Sequence, residues 1–212
     1  VDPVIDPDPI GDVTIDEDSS PVPTVTFTVT DNEDMATLTV EAVTANTDLF
    51  ASPLTVTCDP SGVCAVDLAS LQDANTAAFG TADITVTVTD SDGGTATDTF
   101  TVTVDAVNDA PIGVDDAASV PEDGPAATLT VTANDTDVDL AREGDDLRIT
   151  QIFVDPALAD NVEQIGDDQI RFNPNGEFEA LDNGEQSLQV FSYEVSDLVG
   201  ATSMATVQIT VL

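Results

Sequence analysis

The side chains of this chain that could do chemistry are nearly all carboxylates. Asp135-Thr-Asp-Val-Asp139 places three acids at alternate positions. In an extended segment alternate side chains share a face, so a curved loop there converges their oxygens. Clustered carboxylates and carbonyls are the donors that Ca2+ takes, about six to eight at a time. The stretch is not an EF-hand loop: Leu140 stands at its sixth position in place of Gly, and no Glu falls at its twelfth. Asp105, Asn108 and Asp109 add oxygens in Asp105-Ala-Val-Asn-Asp-Ala-Pro111, and Glu17, Asp18 and Asp197 are candidates for the same ion. A second group comprises Asp6, Asp8, Asp31, Glu33, Asp34 and Asp90, and Glu122 with Asp123 could serve contacts between molecules. The competing reading is that these are solvated loop acids, with Asp also serving turns and caps. It weighs most at Asp90-Ser-Asp-Gly-Gly94, because an Asp-Gly hairpin needs no metal.

Other chemistry is poorly supplied. Without His or Lys the commonest general bases and activators of nucleophiles are missing. Paired carboxylates could still cleave a glycoside, but a sugar cleft is hard to line with no Trp and a single Tyr, Tyr193. The expectation is a protein that is not an enzyme. Forty-two Asp and Glu against three Arg leave 42 − 3 = 39 net negative charges. Such a surface repels nucleic acid and anionic membranes, and no apolar run is long enough to span a bilayer. It also repels itself unless bound divalent cations or a salty environment screen it. Cys58 and Cys64 flank the turn sequence Asp59-Pro-Ser-Gly62, so they are expected to face each other across a hairpin. A disulfide there implies an oxidising compartment; two unpaired thiols are the alternative, and metal binding by the pair is disfavoured, because two Cys without His do not complete a zinc site.

The elements that must position these acids alternate apolar and polar residues with period two. Val25-Thr-Phe-Thr-Val-Thr30, Ile84-Thr-Val-Thr-Val-Thr89, Thr99-Phe-Thr-Val-Thr-Val104 and Thr206-Val-Gln-Ile-Thr-Val211 are examples. That pattern, rich in β-branched residues, predicts half-buried antiparallel strands and an all-β protein. The chain also repeats itself. The segment 87–104 lies over 194–211 without a gap, matching Asp90 to Asp197, Gly93 to Gly200 and Val104 to Val211. Thr14-Ile-Asp-Glu-Asp18 likewise matches Ser119-Val-Pro-Glu-Asp123. Two sequential β-sandwiches follow: a linker or donor segment over 1–9, one domain over 10–105, a linker over 106–111 and a second domain over 112–212. In a seven-stranded Greek key, strand parity then puts Glu17 and Asp18 at the foot of the first domain. Asp135, Asp137, Asp139 and Asp197 fall at the crown of the second, toward the same linker.

Taken together, these motifs resemble the cadherin-like tandem repeats of large bacterial surface proteins and adhesins. The second half is most similar to the VCBS-type repeat. The resemblance is carried by Pro121-Glu-Asp123, Ala133-Asn-Asp-Thr-Asp-Val-Asp139, Phe172-Asn-Pro-Asn-Gly-Glu-Phe-Glu-Ala-Leu181, Phe191-Ser-Tyr-Glu-Val-Ser-Asp197 and Val107-Asn-Asp-Ala-Pro111. Leu140-Ala-Arg-Glu-Gly144 interrupts the usual acidic turn, and Leu198-Val199 stands where the first half has Ser91-Asp-Gly-Gly94. The resemblance implies extracellular, calcium-binding Greek-key sandwiches, arranged end to end, with adhesive or spacer roles. The expected function is a calcium-stiffened module of a secreted or surface adhesin, any export leader being removed or upstream. Its expected partners are neighbouring repeats or identical subunits, with cell-surface glycans or proteins as further possibilities. Two alternatives stand beside it: a subunit polymerising head to tail or by strand donation into a filament or surface layer, and a calcium-dependent carbohydrate-binding module.

Overall fold

The computed structural model describes residues 2–32, 37–140, 146–179, 181 and 184–212. Of the residues singled out in the sequence, Glu33, Asp34, Arg142 and the rest of the 141–144 interruption lie outside these. The chain divides into two compact units, Val1–Val107 and Asn108–Leu212.

Unit 1 contains β1 (Val4–Asp6), β2 (Val13–Asp16), β3 (Thr24–Thr30), β4 (Thr39–Thr44), β5 (Val56–Cys58), β6 (Val63–Asp67), a single helical turn α1 (Thr76–Phe79), β7 (Ala82–Thr89) and β8 (Thr95–Asp105). They form two sheets, ordered β1-β3-β6-β5 and β2-β8-β7-β4. Unit 2 contains β9 (Asp116–Val120), β10 (Ala127–Thr130), β11 (Arg148–Phe153), β12 (Val162–Ile165), β13 (Gln169–Phe172), β14 (Ser187–Ser196) and β15 (Thr202–Val211). Its sheets run β10-β13-β12 and β11-β14-β15-β9. Neighbours pair antiparallel except β2 with β8 and β9 with β15, which are parallel. In both units, therefore, a strand near the start lies along the last one. The all-β expectation agrees with this architecture, two β-sandwiches of paired sheets.

The alternation read in the sequence is what closes each sandwich. Phe27 and Val29 of β3 and Cys64 and Val66 of β6 face Ile84, Val86 and Val88 of β7 and Phe100, Val102 and Val104 of β8. In unit 2, Ile170 and Phe172 of β13 meet Phe191, Tyr193 and Val195 of β14 and Val207, Ile209 and Val211 of β15. Each such side chain, fully buried, contributes about 1.5–3 kcal/mol, so shifting a strand by one residue would expose its whole apolar set.

Two expectations are refined. The stretch 1–9 supplies unit 1 with a strand of its own: β1 pairs with β3, Ile5 opposite Val29, and Ile5 and Ile10 are buried. The stretch 106–111 is shared between the units, and Ile112 bridges to Thr136 just beyond it. The segment 66–74 ends β6 and continues as loop; α1 starts after it, where the Asn75 side chain accepts the Ala78 N–H at 3.1 Å. Cys58 and Cys64 oppose each other in β5 and β6 and are joined by a disulfide. Asp59 Oδ1 closes that hairpin, accepting from Ser61 N (2.8 Å), Ser61 Oγ (2.6 Å) and Val63 N (3.0 Å). The Ser61 hydroxyl and the Val63 N–H hold the Asp59 carboxyl below its usual range.

Candidate cation-binding ends of the two units

In unit 1 the parallel pairing of β2 with β8 sets Asp16 opposite Asp105, so the chain leaves β2 where β8 ends. Glu17 N donates to the Asp105 carbonyl at 3.0 Å. The Glu17 side chain is 2% exposed. Its Oε1 accepts the Val107 N–H at 2.9 Å and the Asn75 amide at 3.3 Å, and its Oε2 accepts the same amide at 3.4 Å. A buried carboxylate is held here by neutral donors, a costly arrangement unless a cation completes it. Asp18 follows with φ 53° and Asp73 has φ 54°, and their carboxylate oxygens come within 4.8 Å of each other. Asp73 and Asn75 were not singled out in the sequence. The available signal was Gln72-Asp73-Ala74-Asn75, polar residues around an Ala that is buried.

In unit 2 the linker residues dock on the acidic loop after β10. Asp109 N donates to Asp139 Oδ2 at 2.9 Å, and Asp139 N to Asp137 Oδ1 at 2.9 Å. Asn108 Nδ2 donates to Asp197 Oδ2 at 2.8 Å and to the Asp109 carbonyl at 2.8 Å. Asp197 is fully buried at the head of the β14–β15 turn, where its Oδ1 accepts from Gly200 N and, at 2.8 Å, from Ala201 N. Burial would raise its pKa, but the bonds from Asn108, Gly200 and Ala201 outweigh that and hold it below the usual carboxylate range. Asp197 is thus already engaged in closing a turn.

Asp135 is engaged as well. Its Oδ1 accepts the Val114 N–H at 2.6 Å, and its oxygens lie 3.1 and 3.0 Å from the buried Tyr193 hydroxyl. That hydroxyl also lies 3.2 Å from Asp116 Oδ2 and 2.9 Å from the Val131 carbonyl. A phenol has one proton to donate, so it cannot satisfy three acceptor groups together. Burial, with the Asp135 charge adding to it against the Tyr193 bond, pushes Asp116 up to about 6. Burial raises Asp135 too, against the Val114 and Tyr193 bonds, and burial and both carboxylates raise Tyr193. Asp116 was not singled out in the sequence; only the fold brings it to Tyr193.

The second candidate group is less gathered. Asp90 Oδ1 accepts from Asp92 N (2.9 Å) and Gly94 N (2.7 Å), which makes it a turn residue. A Cβ on Gly94 would meet Asp90 Oδ2 at 2.5 Å and Asp2 Oδ1 at 2.7 Å, so two carboxylates crowd this glycine. Asp2 was not singled out. Asp6 ends β1 and Asp8 lies in the bend after it, both exposed, while Asp31 follows β3. At the other end of unit 2, Glu122 N donates to the Leu212 carbonyl at 3.0 Å, repeating the bond Glu17 makes to Asp105, and Asp123 is exposed.

Residues 108–210 match the family model described as Bacterial Ig domain. The chain is similar to the human desmocollin-1 ectodomain, at 15% identity and a TM-score of 0.62, covering 98% of this chain and 40% of that one. It is also similar to Drosophila N-cadherin EC1-4, at 17% identity and a TM-score of 0.51, covering 100% of this chain and 50% of that one. A protocadherin γB7 EC3-6 cis-dimer structure matches at 17% identity and a TM-score of 0.52, covering 100% of this chain and 49% of that one. No curated protein matches. The chain spans half or less of the length of these structures, and at such identities the likeness defines the fold, a cadherin- and immunoglobulin-like β-sandwich. Among the described residues no helix is long and apolar enough to cross a membrane.

Proposed function

We propose that this chain is a non-catalytic, calcium-stiffened module of an extracellular bacterial adhesin. Ca2+ would be held by Glu17, Asp18, Asp73 and Asp105 in unit 1 and by Asn108, Asp109, Asp137 and Asp139 in unit 2, with Asp135 and Asp197 bracing the loops of unit 2. The observation that carries the reading is the Glu17 carboxylate, buried to 2% exposure among neutral N–H donors, in a chain of 42 acids and three Arg. An all-oxygen donor set of this density suits a hard cation, and Ca2+ tolerates its irregular geometry. Each bound ion removes repulsion that otherwise keeps the acids apart and the linker loose. The function is mechanical, with calcium turning a self-repelling string into a stiff spacer for adhesive contacts.

The test is isothermal titration of chelator-stripped protein with Ca2+, beside small-angle scattering in calcium and in chelator at equal ionic strength. Saturable heat and a stiffer particle in calcium are expected, with Glu17→Gln and Asp73→Asn each weakening affinity by about tenfold or more. Identical scattering profiles and no heat would discard the reading.

A further inference from the structure

The sheet β11-β14-β15-β9 buries one face in unit 2 and turns the other to solvent. Along that outer face Leu188 is 59% exposed, Val190 48%, Met204 50% and Phe153 42%. Phe153 stands opposite Ser192, one step along the face from Val190, and Val190 is followed by Leu188 on the same strand. Phe153, Val190 and Leu188 therefore form a continuous apolar strip, with Met204 on β15 opposite Glu194. An exposed apolar strip of this kind marks an interaction surface in a soluble domain.

Unit 1 is an internal control, because β7 and β8 correspond to β14 and β15 at a constant offset of 107 residues. Where unit 2 has Leu188, Val190 and Met204, unit 1 has Thr81, Asp83 and Thr97. Its β4 places Val43 opposite Thr85, as β11 places Phe153 opposite Ser192. The fold is thus built equally well with polar residues at the Leu188, Val190 and Met204 positions, while the Phe153 position is apolar in both units, Val43 being 36% exposed.

We propose that this outer face is a self-association surface on which a second copy of the chain docks, sheet against sheet, about a two-fold axis. Charge argues for that occupant. The outward charges on these strands, Glu194 and Arg148, cancel, in a chain whose net charge is −39. A basic partner would be steered to the acidic loops, whereas another copy of so acidic a chain is repelled everywhere except at a neutral face. The area also suffices. With strands about 4.8 Å apart and rising about 3.3 Å per residue, the face covers about 500 Å2, or about 1,000 Å2 for the pair. That is the size at which specific interfaces begin, and two twisted sheets pack face to face with strands within about 30°. An isologous contact of this kind closes on itself.

The association needs no calcium, which separates its test from that of the calcium reading. Sedimentation velocity of the full chain in chelator should show a reversible dimer that strengthens from about 0.1 M to about 1 M NaCl, as the Debye length falls from about 10 Å to about 3 Å. The double variant Leu188→Thr, Val190→Asp installs the residues that unit 1 carries at the matching positions. It should weaken the dimer at least about thirtyfold. A spin label on Ser192→Cys should report a short distance between copies that disappears in the double variant. Should the double variant fail to fold, Met204→Thr, matching Thr97, decides the question with the same label. A chain that stays monomeric at every salt concentration overturns the proposal, as does a dimer that forms only with calcium or is unmoved by these substitutions.

Discussion

The two units share a strand order around their last hairpin, yet equivalent positions do different work. Val86 of β7 and Tyr193 of β14 align, and both point into the core. In unit 1 that position is filled by methyl groups alone. In unit 2 it carries a hydroxyl shared among Asp135, Asp116 and a carbonyl. The outer faces diverge in the opposite sense: unit 1 turns Thr81, Asp83 and Thr97 outward where unit 2 turns Leu188, Val190 and Met204. The hairpins hardly diverge. Asp90 with Gly93 (φ 90°) and Asp197 with Gly200 (φ 108°) close equivalent turns, although Ser91-Asp92 of one are Leu198-Val199 in the other. The scaffold therefore constrains inward apolar volume and turn chemistry closely and leaves polar interiors and outward faces open to change.

That contrast can be probed unit by unit, because Tyr193 is the single tyrosine of a chain without tryptophan and so reports on unit 2 alone. The largest effect is expected from Phe172→Ala, which opens a cavity in the core of unit 2. Urea unfolding followed by Tyr193 fluorescence should show a loss of about 3–5 kcal/mol. The unfolding of unit 1, followed by hydrogen exchange, should not move; coupled losses in both would mean that the units fold as one. Next comes reduction of Cys58–Cys64. Opening so short a loop should cost unit 1 about 2 kcal/mol and leave the Tyr193 transition in place. The smallest effect is the pH response of the buried tyrosine cluster. Asp116 titrates near 6 when folded against 3.8 as its ordinary value, so the folded unit binds the extra proton between those values. The contribution of this carboxyl to stability is then fully present below about 4, falls as pH rises toward 6 and is lost beyond it. Asp116→Asn should flatten this slope in the Tyr193 transition, and an unchanged slope would place the titrating group elsewhere.

Much of this was legible in the chain itself. Alternation located the strands of both sandwiches, since a half-buried strand must repeat every second residue. Asp-Pro-Ser-Gly between Cys58 and Cys64 located the crosslinked hairpin for an equally local reason. The acids were harder to read. Asp135 and Asp197 were singled out as ligands from their loops alone; that one is bonded to Tyr193 and the other closes a turn could not be read there. Asp73 and Asn75, which share the end of unit 1 with Glu17, went unmarked, because Asn75 meets Glu17 across 58 positions. Nothing in the spacing of either segment encodes that meeting.

The sequence by itself determined a two-unit, all-β, strongly acidic chain, because periodicity, repetition and net charge are properties of the string. Only the tertiary structure decided which carboxylates are buried, which are engaged in turns and which gather. It also decided that Val4–Asp6 is a strand of unit 1 and that Phe153, Leu188, Val190 and Met204 of unit 2 share one face. Those outcomes depend on which strands become neighbours across the sandwich and in what register. Pairing is settled by the packing of a whole core, whereas each acid carries the same local signature wherever it ends up.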